Sequence, residues 1–442
     1  MAGRHNIESA FRAAIREGRL APGAAVPSTR TLASQLGVAR GTVVEAYAQL
    51  AAEGWLRTKQ GAPTRVAPSV WLPHPPVTPA RKQAQAFKYD LFPGEPDLSV
   101  FPIAKWLSAL RKVAGKGLAS ALTYASDEGS TELRSALARY LERARGVVAD
   151  PGQIVICSGS ADALDTIARV IAPGTVAMED PGLPYHCDLV RSAGAAVVPL
   201  PVDDEGASAE PGDAAAALLT PAHQFPLGMS CSPRRRDALI AWARRTGALI
   251  IEDDYDGEFR FDREPIGAMQ GRAPDDVVYI GTASKSLAPG LRIAWAVLPP
   301  RFAEAFTAAR RWHRTVASLD QKALAELLDD GTFERHVRHC RALYRRRRDE
   351  LVAAIADLDL GLDVLGVAAG LHAVIALPSE GPDEASVRAE AHRSSLRIVT
   401  LGWSWQTAPK LKGIIVGYSK PPAHAWRAAL DALCQTLRRA LA

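Results

Sequence analysis

Residues 281–292 read GTASKSLAPGLR: one lysine, Lys285, stands among small and hydroxyl residues, and an arginine, Arg292, follows seven positions later. The apolar run VVYI (277–280) comes directly before, so a buried strand delivers both cations to one rim. Two other polar groups follow apolar runs in the same way. Asp253 and Tyr255 follow ALIIE (248–252), and Ser158, Gly159 and Ser160 follow IVIC (154–157). A lysine, a carboxylate, a phenol and an anion-binding turn together suit pyridoxal 5′-phosphate. Its aldehyde condenses with a lysine amine to a Schiff base, and a carboxylate paired with the pyridinium nitrogen maintains the electron sink. Backbone N–H groups at a helix start, hydroxyls and Arg292 suit the phosphate.

Such groups need strands to hold them in line. TVAMED (175–180), AAVVPL (195–200), AAALLT (215–220), ALIIEDD (248–254), VVYIGT (277–282) and RIAWAVL (292–298) are short apolar runs with little polar alternation. Helical stretches such as ADALDTIARVI separate most of them, which predicts a sheet covered on both faces with ligands at the carboxyl ends of its strands. Taken singly, a strand-end lysine or aspartate is an ordinary solvated loop charge. The joint occurrence is what points to a site.

The first sixty-odd residues have a different character. Of the formal net charge of +5, residues 1–66 carry the whole, with nine basic residues against four acidic ones, so a basic module precedes a neutral body. That asymmetry points to a polyanion partner for the module alone. Ile7, Phe11 and Ile15 predict a first helix ending near Gly18. Ser28 is an N-cap for a second helix, with Leu32, Ala33 and Leu36 on its inner face. After a turn at Gly37, a third helix starts near Arg40 with Val44, Tyr47 and Ala51 inward. GWLRTK and PTRVA, either side of Gly61, read as a small β-wing. Then SVWLPHPPVTPARKQAQAF (69–87), with four prolines, reads as a semi-rigid linker.

LAPGAAVPSTRTLASQLGVARGTVVEAYAQLAAEGWL resembles the winged-helix domain of GntR-type transcription regulators. The resemblance implies that Ser28 and Arg30, opening the second helix, and Arg40 and Thr42, opening the third, face double-stranded DNA. TYASDEGSTELRSALARYL, PAHQFPLG, IIEDDYDGEFRF and GTASKSLAPGLR resemble fold-type I aminotransferases. In this order, behind a GntR-type module, they resemble the MocR regulators. That resemblance implies Lys285 as the Schiff-base lysine, Asp253 as partner of the ring nitrogen and Tyr255 as partner of the ring oxygen. Ser160, Ala161, Thr282, Ser284 and Arg292 would hold the phosphate. Tyr124 matches the tyrosine that reaches into a neighbouring subunit's phosphate site, which implies a homodimer.

Three positions depart from the pattern. Leu183, in EDPGLPYH, stands where MocR domains usually carry an aromatic residue that stacks on the cofactor ring, with Tyr185 two positions on. Phe225 stands where catalytic aminotransferases carry an asparagine, beside His223 and Gln224, which are expected near the ring. Ile415, in KLKGIIVGYSK, aligns with the arginine that clamps a substrate carboxylate; Lys410 and Lys412 are nearby point charges. Arg345–Arg348 is expected to be a solvated helix face.

The domain expectation is a winged helix-turn-helix over 1–67, a linker over 68–88 and an α/β fold-type I aminotransferase-like domain over 89–442, whose smaller C-terminal α+β part begins near 325. The functional expectation is a pyridoxal-phosphate-dependent transcription regulator, sensing an amine, an amino acid or a vitamin B6 vitamer through Lys285 without true turnover. The alternatives are an amino-acid aminotransferase with an accessory DNA-binding domain, and a protein that keeps only the fold. No apolar run is long enough for a membrane span. The N terminus lacks a signal-peptide core, and the five cysteines form no CxxC or metal-spaced cluster, so a reducing cytoplasm and no metal are expected.

Overall fold

The computed structural model describes residues 3–59, 61–68, 87–123, 126–262, 266–310 and 316–441. Most of the Pro-rich segment, and Tyr124, lie outside the described residues. The chain divides into two compact units, Met1–Gln85 and Ala86–Ala442.

The first unit contains α1 (Arg4–Arg16), α2 (Thr29–Leu36), α3 (Arg40–Ala52) and the strands β1 (Leu56–Arg57) and β2 (Arg65–Val66). Its strands pair antiparallel, Leu56 opposite Val66, as a short wing. Ser28 caps α2 by accepting from the Thr31 N–H at 3.1 Å, and Gly37 closes it at φ 65°, a left-handed turn glycine takes without strain. The core is Ile7, Ile15, Leu32, Ala33, Val43, Ala46, Tyr47 and Leu50, with Phe11 edge-on to Tyr47 at 5.3 Å. Two inward assignments shift. Val43 is fully buried while Val44 is 45% exposed, and Leu36 is 43% exposed. Both 43/46/47/50 and 44/47/51 are helical spacings, and only packing against α1 and α2 selects between them.

The second unit begins with β3 (Tyr89–Asp90), α4 (Ile103–Leu122) and α5 (Thr131–Arg145). There follow β4 (Ile154–Cys157), α6 (Ser160–Ile171), β5 (Thr175–Asp180), α7 (Pro184–Ser192), β6 (Ala196–Asp203), β7 (Gly206–Ala207) and β8 (Ala216–Leu219). Next are α8 (Pro233–Thr246), β9 (Leu249–Asp254), β10 (Val277–Thr282), β11 (Ala294–Val297) and α9 (Pro300–Ala309). These eight strands form one sheet in the order β4-β11-β10-β9-β8-β5-β6-β7. The run from β10 to β6 is parallel, and β11 and β7 are antiparallel to their neighbours. One apolar cluster covers one face and two others share the opposite face, as the unbroken apolar runs require.

The C-terminal part holds α10 (Ser318–Asp329), α11 (Thr332–Ala356), β12 (Asp363–Leu365), β13 (His372–Ala376) and α12 (Glu384–Arg393). It ends with β14 (Leu396–Arg397), β15 (Val399–Thr400), β16 (Gly413–Gly417) and α13 (Ala423–Leu441). Its four-stranded sheet runs β12-β13-β16-β15, and β14 pairs with β3. No helix among the described residues is long and apolar enough to cross a membrane.

Arg345–Arg348 is not a solvated face throughout. A helix turns about 100° per residue, so four consecutive side chains sweep most of its circumference. Arg345 and Arg346 point to solvent, whereas Arg347 is buried, pairs with buried Asp97 at 2.8 Å and donates to the Ser419 carbonyl at 2.9 Å. Arg348 lies over the Phe261 ring. Arg347→Ala strands the buried Asp97 carboxylate and is expected to cost about 3–5 kcal/mol in denaturant unfolding. Arg345→Ala is expected to stay within about 0.5 kcal/mol.

Candidate functional site

Strand register brings the predicted groups together. Thr282 at the end of β10 lies opposite Ala294 of β11, which lies opposite Cys157 of β4. The turns carrying Ser158–Ser160, Ser284–Lys285 and Arg292–Ile293 therefore leave adjacent strand ends. One step along the sheet, β9 ends in Asp253 and Asp254.

These ends open on a cavity of about 360 Å³ whose walls include Ser160, Asp253, Tyr255 and Lys285. Lys285 donates from Nζ to the Gly94 carbonyl at 2.6 Å, and burial lowers its pKa against the opposing pull of Asp253. A lysine so placed is a better nucleophile than a solvated one. Asp253 is buried, with Oδ1 lacking a hydrogen-bond donor among the described residues, and burial lifts its pKa to about 7. The Tyr255 hydroxyl donates to the His223 carbonyl at 3.1 Å and stands 3.1 Å from His223 Nδ1.

The anion end lies at the head of α6. Its first N–H groups, those of Ser160 and Ala161, precede the intrahelical ladder and are available to an acceptor. Arg292 reaches over this turn: a Cβ at Gly159 would stand 2.6 Å from Arg292 Nη2, so glycine there permits the approach. The Thr282 and Ser284 hydroxyls are 3.0 Å apart beside it.

Alternation along β9 divides the work of two neighbouring acids. Asp253 faces the cavity. Asp254 turns to the other face and takes a two-pronged ion pair from buried Arg145, Nε–Oδ2 2.6 Å and Nη2–Oδ1 3.0 Å, plus the Tyr279 hydroxyl at 2.7 Å.

The expected ring neighbours are rearranged. His223 and Gln224 are buried behind the wall, His223 held by Asp256 at 2.9 Å, while Phe225 itself lines the cavity. Leu183 and Tyr185 both line it, and His186, which sequence reasoning missed, approaches Asp253 with Nδ1 3.9 Å from Oδ2. Burial lowers the His186 pKa to about 4, so this is a neutral ring beside a carboxyl rather than an ion pair. Phe92, Gly94, His372 and Trp403 also line the cavity and were not anticipated, because they arrive from distant chain segments. Ile415 is fully buried against Val374 and Leu401, and neither Lys410 nor Lys412 lines the cavity; Lys412 donates to the Ser379 carbonyl.

Residues 4–66 match the bacterial regulatory proteins of the gntR family, and residues 92–399 match the aminotransferase class I and II family. Among relatives, the HTH-type pyridoxine biosynthesis transcriptional regulator PdxR of Corynebacterium glutamicum is 32% identical, covering 92% of this chain and 90% of that protein. The probable rhizopine catabolism regulatory protein MocR of Rhizobium meliloti is 33% identical, covering 96% and 91%. The chain belongs to the MocR-type transcription regulators. Its larger unit shares the fold of solved aminotransferases. An archaeal alanine:glyoxylate aminotransferase superposes with a TM-score of 0.74 at 23% identity, covering 81% of this chain and 92% of that one. The kynurenine aminotransferase of Pyrococcus horikoshii superposes with a TM-score of 0.73 at 24% identity, covering 80% and 92%.

The residues present in this family member fit pyridoxal phosphate. A buried acid lacking a donor suits a protonated ring nitrogen, and the glycine-cleared arginine over a helix start suits a phosphate. The acid also generates a pH test. The folded state holds the Asp253 proton up to about pH 7, while the unfolded chain releases it near its ordinary 3.8. The stability this contributes is present below about pH 4 and lost as pH rises through 7. Without cofactor, Asp253→Asn is therefore expected to gain melting temperature relative to the parent between pH 4 and 7 and to hold a constant gap above that. A gap independent of pH would show that Asp253 titrates as a solvated acid.

Proposed function

We propose that this regulator holds pyridoxal 5′-phosphate as a Schiff base on Lys285 and senses an amine, an amino acid or a vitamin B6 vitamer there, without enzymatic turnover. The observation that carries this reading is the buried, donorless Oδ1 of Asp253 in the cavity that also receives Lys285, Tyr255 and Ser160. When bound, the cofactor supplies an electrophilic aldehyde carbon conjugated to an electron-withdrawing ring. Lys285 Nζ is the nucleophile that takes it. Asp253 holds the ring nitrogen's proton, and Tyr255 places its hydroxyl at the ring oxygen. Ser160, Ala161, Thr282, Ser284 and Arg292 would hold the phosphate, and Leu183 would cover the ring by apolar contact.

The division of labour follows the proposed domains, with residues 1–67 engaging DNA and 89–442 the cofactor and effector, joined by 68–88. Arg30 and Arg40 are exposed at the starts of α2 and α3, whereas Arg12 is spent on Glu53 and Glu8. Ser28 and Thr42 place hydroxyls at the same helix starts, a geometry suited to phosphates and base edges. A homodimer, with Tyr124 completing the neighbouring phosphate site, would present two winged helices to two half-sites. An effector shifts the regulator between states only by its differential affinity for them.

Filling of the clamp position by buried Ile415 favours sensing over turnover, because catalysis also needs the substrate's carboxylate fixed. Purified protein with added pyridoxal phosphate is expected to show a visible absorbance band that Lys285→Ala abolishes; a parent that stays colourless overturns the cofactor reading. Arg40→Ala is expected to weaken operator binding by about tenfold in a gel-shift titration and to lower the salt slope by about one, with that band unaltered. Unchanged affinity would remove Arg40 from the DNA interface.

A further inference from the structure

The cavity's walls go further than the cofactor and describe what else enters. We propose that the effector is a primary amine with a ring-sized apolar body and no carboxylate. This rests on the cofactor reading above and narrows it.

Two observations carry the inference. The first is charge. The described lining includes two buried carboxyl groups, Asp253 and Glu179, and Lys285 as its sole lysine or arginine. Glu179 is held by the Thr220 N–H at 3.1 Å and the Thr220 hydroxyl at 2.5 Å, and burial lifts its pKa to about 7. The two lining histidines bring no compensating charge, since burial lowers His186 to about 4 and His372 to about 3. With Asp253 and Lys285 committed to the cofactor, Glu179 remains as an acid of the described lining with no lysine or arginine there to offset a ligand carboxylate, and each acid hinders ionisation of the other. An ammonium group meets the opposite balance.

The second is surface. Trp403 and Tyr185 line the same cavity and are 42% and 58% exposed, large aromatic faces left uncovered at its wall. Phe225 and Leu183 continue that wall. Behind Phe225, Ile415 is packed against Val374 and Leu401, so apolar side chains occupy the ground where a guanidinium would stand. An apolar body laid against Trp403 and Phe225 gains contact area and ring–ring attraction without stranding a polar group.

The test uses the full-length protein loaded with pyridoxal phosphate and a matched pair of ligands, 2-phenylethylamine and phenylalanine, which differ by the carboxylate alone. Half-saturation is read from the visible band and, independently, from tryptophan fluorescence. The amine is expected to half-saturate at a concentration at least about tenfold lower, a difference of about 1.4 kcal/mol. Trp403→Ala is expected to raise both half-saturations by a similar factor, since the two ligands share the ring, and to leave the preference between them in place. Equal affinities, or a preference for phenylalanine, overturn the ligand class while leaving the cofactor reading standing. Half-saturations that stay unchanged in Trp403→Ala overturn the aromatic contact. A protein that takes up no visible band overturns the cofactor reading and this inference with it.

Discussion

The Asp253 carboxyl group, buried at a strand end with one oxygen lacking a donor, is the constraint around which the larger unit is arranged. Leaving such a group unpaired costs free energy, and the neighbouring structure keeps it there by force of packing. The force comes from the next residue. Asp254 is anchored on the opposite face by Arg145, through two hydrogen bonds, and by Tyr279. Because side chains alternate along a strand, pinning Asp254 outward on one face fixes Asp253 on the other. A one-residue slip of β9 would take Asp253 out of the cavity and break the Arg145 ion pair of Asp254.

The same logic extends across the sheet. Adjacent strand ends at Cys157, Ala294 and Thr282 hold three turns at one level, so the helix start at Ser160, the arginine at 292 and the lysine at 285 need no long loops to meet. Arg292 adopts φ 54°, uncommon for a residue with a side chain, where its strand begins. Together with Gly159, whose missing Cβ clears the guanidinium, this is local geometry committed to one function: closing a basic arm over a helix N-terminus. Ordinary packing does not ask for either.

Much of this was legible in the sequence, and for a common reason. Strands buried on both faces are uninterrupted apolar runs, so TVAMED and VVYIGT predict β5 and β10 at their observed limits, and the polar residues ending such runs are the ones that reach the cavity. What sequence could not reveal depends on contacts between distant segments. Gly94 meets Lys285 from 191 residues away, and Trp403 reaches the cavity from the C-terminal part. His186 is hidden differently: it lies in the first turn of α7, three residues past Leu183, and only the helix brings it to 3.9 Å from Asp253. Val43 and Val44 show the finer limit. Helical period alone admits both faces of α3, and the contact with α1 and α2 decides.

The run Arg345–Arg348 and the position Ile415 make one argument from opposite sides. A run of four arginines looks like a surface for polyanions, yet its geometry spends Arg347 on holding Asp97 inside the fold. A position at which an arginine would grip a substrate carries an isoleucine packed as core. At these two positions the side chain follows structural need: Arg347 holds Asp97, and Ile415 completes an apolar cluster. Binding asks for less than catalysis does. Holding a cofactor and one exchangeable amine requires a lysine, an acid and a phosphate cradle, whereas turnover also requires the reacting bond to be oriented by a second fixed contact. Under the proposed reading the cavity's walls serve the first task, and the apolar packing at Ile415 leaves no guanidinium there for the second.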